Sequence, residues 1–153
     1  MLVRHSRLSG QRGQRGATAL EFGLVAPVVF LLLFGIVQYG YWFWSAETAA
    51  ATAREAARRL AVGTDWSCTR DEIVAAARIP AIGDSVSVPL PEYADDSGAP
   101  VSPRVGTLVT VSVAFDTLDL RLPLLPVPSQ VVGHGTARVE NLPSTPLGCA
   151  SPG

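Results

Sequence analysis

The order of apolar and polar positions divides the chain into one long helical stretch and a remainder that changes period repeatedly. From Phe22 to Trp44 no residue carries a formal charge, and roughly six turns at the helical period pass without a polar face. At about 1.5 Å per residue this stretch crosses a hydrocarbon core of roughly 30 Å, so the pattern predicts a transmembrane helix. Glu21 stands alone at its head, a carboxylate where an unpaired acid is costly. Helical spacing then continues from Ser45 to Val62 with a different texture. Glu47, Thr48, Thr52, Arg54, Glu55, Arg58 and Arg59 fall on one side, and Ala46, Ala49, Ala50, Ala53, Ala56, Ala57 and Leu60 on the other. Glu55 and Arg59 stand four apart in the favourable order. An alanine stripe offers little apolar area but permits close approach, to a sheet of its own chain or to the same helix of another subunit. Gly63 ends it.

Beyond Gly63 the elements are short. Thr69-Arg70-Asp71-Glu72 has the form of a capping box and opens a helix through Ile73, Val74 and Ala77 that must stop before Pro80. All prolines except Pro27 follow Ile79, which excludes another long helix. Ser85 to Leu90 alternates at the strand period, Pro91 to Gly106 reads as a loop, and Thr107 to Phe115 is the clearest strand. Leu118 to Pro128 is apolar but broken by prolines, an edge strand or a packed loop. Gln130 to Glu140 reads as a last strand interrupted at Gly133 and Gly135. The expected fold class is α+β: a single N-terminal transmembrane helix, its Ala-rich continuation, and a small extracytoplasmic antiparallel sheet of three or four strands. The expected divisions are a basic leader over 1–16, a transmembrane and assembly helix over 17–62, and the small α+β domain over 63–153.

Charge sets the orientation. The formal net charge of −1 conceals an asymmetry: Arg4, Arg7, Arg12 and Arg15 precede the span with no acid among them, and every acid but Glu21 follows Ser45. This bias places the N-terminus in the cytoplasm and the C-terminal domain outside. Tyr41, Trp42, Phe43 and Trp44 read as an interfacial belt that anchors a persistent span. Conventional signal cleavage after Ala51-Thr52-Ala53 is the competing reading. It is disfavoured because the apolar stretch exceeds a signal peptide's length. The outer part is mildly acidic, which argues against nucleic-acid binding.

Gly16, Ala17, Thr18, Ala19, Leu20, Glu21 and Phe22, followed by the apolar run with Pro27, resemble the processing site of type IV pilin-like proteins. Within that class, G-A-T-A-L-E-F-G-L-V-A-P is most similar to the TadE-like family, minor pseudopilins of tight-adherence (Flp-type) pili. The resemblance covers about residues 12–60. It implies cleavage between Gly16 and Ala17 by a prepilin peptidase, with Glu21 fifth in the mature chain and, with Phe22, a recognition and assembly residue. It also implies other pilin-like subunits and the pilus assembly platform as partners, within the cytoplasmic membrane or a surface pilus. A signal-anchored extracellular binding domain that never assembles is the alternative.

Within the span, Pro27 removes an N–H and predicts a kink. Gly23 and Gly35 either let neighbouring helices approach or are merely tolerated, and Gln38 either caps an interhelical contact or sits at the headgroups. Cys68 and Cys149 both lie on the oxidising side, which predicts a disulfide; free thiols or intersubunit bridges are the alternative. In the chain-entropy model such a closure is worth about 4–5 kcal/mol. Catalytic chemistry finds little support. His5 belongs to the leader, which leaves His134 alone between glycines, and Asp95-Asp96 beside Ser97-Gly98 suits a turn better than a calcium site. No catalytic residue, metal site or cofactor is expected, and the chain reads as a non-enzyme.

Overall fold

The computed structural model describes residues 11–82, 84–121, 126–143 and 149. Their order is α1 (Gln11–Ala61), α2 (Trp66–Ala77), β1 (Glu92–Ala94), β2 (Leu108–Asp116) and β3 (Gln130–Arg138). The fold is α+β, with an antiparallel sheet in the order β1-β2-β3. The chain divides into two compact units between Val37 and Gln38.

In the first unit α1 is an apolar helix. Nearly every side chain from Leu20 to Val37 is exposed, and the ring contact among the first unit's described residues stacks Phe30 on Phe34 one turn on. Among the described residues α1 is the one helix long and apolar enough to cross a membrane, which points to single-pass insertion. Pro27 lies inside this continuous helix.

In the second unit the rest of α1 carries the core. One stripe is buried along it: Gln38, Ser45, Ala49, Ala53, Ala56, Ala57 and Leu60. Hydroxyls on the helix bond back to the preceding turn, Ser45 Oγ to the Tyr41 carbonyl at 2.8 Å and Thr48 Oγ1 to the Trp44 carbonyl at 2.9 Å, so they add no unmet donor. Across from this stripe lie Val109, Val111, Val113 and Phe115 of β2, all fully buried, and Val131 of β3.

The contact between α1 and β3 is unusually close. A Cβ at Gly133 would fall within the backbone of Ala49 and Ala50, and one at Gly135 within that of Ala53 and Arg54. Two residues of strand advance about 6.8 Å and four of helix about 6 Å, so Gly-x-Gly and Ala-x-x-x-Ala keep step. The expected interruption at these glycines is therefore corrected. β3 runs unbroken through them, pairing Gly133 with Val113 and Gly135 with Val111, because the missing side chains make room for the helix backbone.

The helix end is built by the same strand. Thr64 N–H donates to the Arg59 carbonyl and Gly63 N–H to the Leu60 carbonyl, both at 3.1 Å, with Gly63 at φ 94°, a left-handed cap. The Ala61 carbonyl accepts from the N–H groups of Glu140 and Asn141, just past β3, at 2.8 and 3.0 Å.

Three local expectations change. The cap of α2 is Asp65 rather than Thr69: its Oδ1 accepts from Ser67 N–H at 2.8 Å, while Thr69 is buried in the first turn with its hydroxyl on the Asp65 carbonyl. Ser85–Leu90 forms only one bridge, Ser87 to Ala114, since Pro89 and Pro91 cannot donate to a ladder. The third strand arises instead at Glu92–Ala94, inside the expected loop, where the following turn is closed by Asp95 Oδ1 accepting from Ser97 and Ala99 N–H at 2.9 and 3.1 Å. The apolar stretch from Leu118 to Pro128 falls partly outside the described residues; its described part is not strand. Cys68 and Cys149 are joined in a disulfide with Cα atoms 5.2 Å apart.

Replacing Gly135 by Ala forces backbone apart from backbone, so a loss of about 1–3 kcal/mol or more is expected, whereas exposed Thr136→Ala next to it changes little. Chemical unfolding of the two variants in detergent, followed by near-ultraviolet circular dichroism, checks this; equal midpoints would contradict the close packing.

Candidate functional site

The residues singled out in the sequence lie in separate places. Gly16, Ala17, Glu21 and Phe22 occupy consecutive turns of α1, with Ala17 and Glu21 one turn apart on the same face. All four are exposed, and space beside Gly16 and Gly23 is open. The Gly16–Ala17 bond lies within the helix, which begins at Gln11; glycines at 13 and 16 each lower helix stability by about 1 kcal/mol relative to Ala.

A second cluster surrounds the start of the second unit. Gln38 is fully buried, and its Nε2 donates to Asp119 Oδ1 at 3.5 Å. Tyr39 hydroxyl donates to the Pro126 carbonyl at 3.2 Å and Tyr41 hydroxyl to the Pro80 carbonyl at 2.7 Å. The described contact of Gln38 is with its own chain. The aromatic belt is divided: Phe43 and Trp44 are exposed, while Trp42 packs on the protein core and Tyr41 ties down a loop. Among the described residues the buried Gln38 Oε1 and Trp42 Nε1 have no hydrogen-bond partner. Sequence reasoning missed this cluster because aromatic residues after an apolar span read as lipid anchors. The available signal was Gln38 itself, which begins the stripe that continues through Trp42, Ser45 and Ala49.

Between α1 and α2 lies a shallow groove of about 280 Å³, floored by Ala56, Ile73 and Ala76 and rimmed by charge. Glu55 accepts from Arg58 Nη2 and Arg59 Nε, each at 2.8 Å, and Arg59 reaches on to Glu72. The Arg58 hydrogen bond, then that of Arg59, holds the Glu55 carboxyl down at about 2. The hydroxyls of Thr52 and Thr69, which line this groove, donate to backbone carbonyls, and among the described residues neither is hydrogen-bonded to a carboxylate.

On the outer sheet face, Ser112 Oγ and His134 Nδ1 are 3.0 Å apart, beside Thr110 and Thr136. Both are partly or fully exposed, and among the described residues no carboxylate hydrogen-bonds to the imidazole, so the pair lacks the orienting third group of a hydrolytic triad. Asp95 is engaged by its own turn, while Asp96 accepts from Arg138 at 2.6 Å. Among the described residues no three His, Cys, Asp or Glu side chains gather as a metal site would require.

A depressed carboxyl stabilises the fold above its unfolded value and loses that effect as the pH falls toward the folded one. For Glu55 the window runs from 4.5 down to about 2. With 43% of the Glu55 side chain exposed, the contribution is about 0.5–1 kcal/mol. Glu55→Gln should lower stability by that amount near neutral pH and by almost nothing near the lower end of the window, as read from urea midpoints at both.

Residues 16–58 match the family model described as TadE-like protein. The match covers the motif around Glu21, the span and most of the Ala-rich helix, and ends before the helix cap at Gly63. No curated protein and no solved structure matches the chain.

Proposed function

Starting from a segment that is TadE-like over residues 16–58, we propose that the protein is a minor pilin-like structural subunit, not an enzyme, related to tight-adherence pili. A prepilin peptidase cuts after Gly16 on the cytoplasmic side. The mature chain then joins other pilin-like subunits at the assembly platform, either to prime a filament or to enter one.

The observation that carries this reading is the division of α1. From Ala49 to Leu60 its small-residue face is occupied by the chain's own sheet, so that face is closed to another helix. From Ala17 to Val37 nearly the whole circumference is open, with a carboxylate at its head. Cutting after Gly16 releases an ammonium on Ala17 one turn before Glu21. Both charges are costly in the apolar layer, and pairing offsets much of that cost because their attraction grows as the dielectric falls. Between chains, Glu21 of one subunit on the Ala17 ammonium of the next fixes their axial offset.

Two further features support the orientation. Arg4, Arg7, Arg12 and Arg15 hold the N-terminus inside, and the Cys68–Cys149 bond belongs to an oxidising compartment outside. Cleavage after Ala53 instead would remove Ala49 and Ala53, on which β3 is seated.

Mass spectrometry of membrane-extracted protein should find a mature chain beginning at Ala17; a chain beginning at Arg54 would overturn the proposal. Glu21→Gln should leave insertion and cleavage intact but reduce crosslinking to neighbouring pilin-like subunits in membranes. Normal association of a processed Glu21→Gln protein would favour the signal-anchored binding domain that does not assemble.

A further inference from the structure

We propose that the end of the outer unit where α1 enters it is a second lipid contact, seated in the outer headgroup and upper acyl region of the chain's own membrane. The proposal rests on the single-pass reading of α1. Counting from Phe22, a hydrocarbon core of roughly 30 Å is crossed in about 20 residues, which brings its outer boundary to the neighbourhood of Tyr41. The interfacial layer beyond it, roughly 5–7 Å deep, then takes in Phe43 and Trp44.

Two loops are fastened to α1 at this level. The one following α2 is held by Tyr41 on the Pro80 carbonyl, and it returns to β2 through Ile82 N–H on the Asp116 carbonyl at 3.0 Å. The one following β2 is held by Gln38 on Asp119 and Tyr39 on the Pro126 carbonyl. These bonds bring Pro80, Asp119 and Pro126 against residues 38–41 of α1, next to the outer boundary counted above.

Their exposed residues suit that place. Ile79, Ile82 and Leu120 are 73, 44 and 39% exposed and stand within two residues of Pro80 and Asp119, which are bonded to α1, while Phe43 and Trp44 of α1 are exposed a few residues on. The outer sheet face, which water reaches under the same reading, shows Thr110, Ser112, His134 and Thr136, with Val132 its exposed apolar residue. Charge does not account for the attraction. Arg78 and Arg121 are accompanied by Asp84, Asp116 and Asp119, with Arg78 4.0 Å from Asp84. The contact is therefore apolar insertion, and it needs no anionic lipid.

The test uses the full chain in phosphatidylcholine vesicles, with an environment-sensitive fluorescent amino acid in place of Leu120, Ile79, Phe30 or Val132. Acyl-chain-brominated lipid is the quencher, and a non-reducing gel for the Cys68–Cys149 bond checks folding. Leu120 and Ile79 probes should lose most of their emission to bromine, Phe30 likewise, and Val132 on the outer sheet face hardly at all. Quenching at Phe30 with none at Leu120 and Ile79 would overturn this inference alone. No quenching at Phe30 would overturn the single-pass reading and this inference with it. Blue-shifted but unquenched emission at Leu120 and Ile79 would show that a protein, including a second copy, covers these residues, and would also overturn it.

Discussion

The closeness of β3 to α1 is the constraint on which the second unit depends. Gly133 and Gly135 present bare backbone to Ala49 and Ala53, so helix and strand approach nearer than any larger side chains allow. This contact fixes the register of β3 along the helix. The register in turn delivers Glu140 and Asn141 to the last carbonyl of α1, and it sets Val111 and Val113 of β2 beside the glycines. A core of alanines and valines buries little apolar area per residue. What stabilises it is close dispersion contact at many points, together with the covalent tie from α2 to Cys149.

On the single-pass reading the same helix meets two solvents, and its composition changes where the demand changes. Large apolar side chains face outward up to Val37, where lipid requires an apolar surface on every side. After Gln38 one stripe shrinks to serine and alanine while the opposite side gains Glu47, Arg54 and Arg58, because water and a sheet now share the circumference. Under the proposed function this division assigns the two lengths different work. The outer length carries the domain, and the inner length remains free for lipid and for other subunits.

The helical part of this architecture was legible in the sequence because its signals are local. An uncharged run, an alanine stripe and a terminal glycine each act within a few turns, and the Thr107–Phe115 strand announced itself by alternation alone. The errors came where a residue's role is set by something distant in the chain. Gly133 and Gly135 read as breaks because the helix that needs their missing side chains lies about 80 positions earlier, and period alone carries no such information. Thr69 matched a capping box, but Asp65 reached the free N–H groups first. Glu92–Ala94 is a strand only because β2 offers it an edge. The motif at Gly16 to Phe22 was legible through its resemblance, whereas the loop contact of Tyr41 was concealed by its place in an aromatic belt and those of Gln38 and Tyr39 by their place in an uncharged run.

The central claim is that α1 beyond Gln38 and the sheet form one cooperative unit while the inner length of the helix is held by lipid. Native-state hydrogen exchange on the full chain in vesicles, with increasing denaturant, tests it directly. Amides of residues 45–61 should open with those of β2 and β3 in a single transition of one free energy, with residues 22–37 still protected. Helical amides at 45–61 that remain protected after the sheet has exchanged would contradict the account.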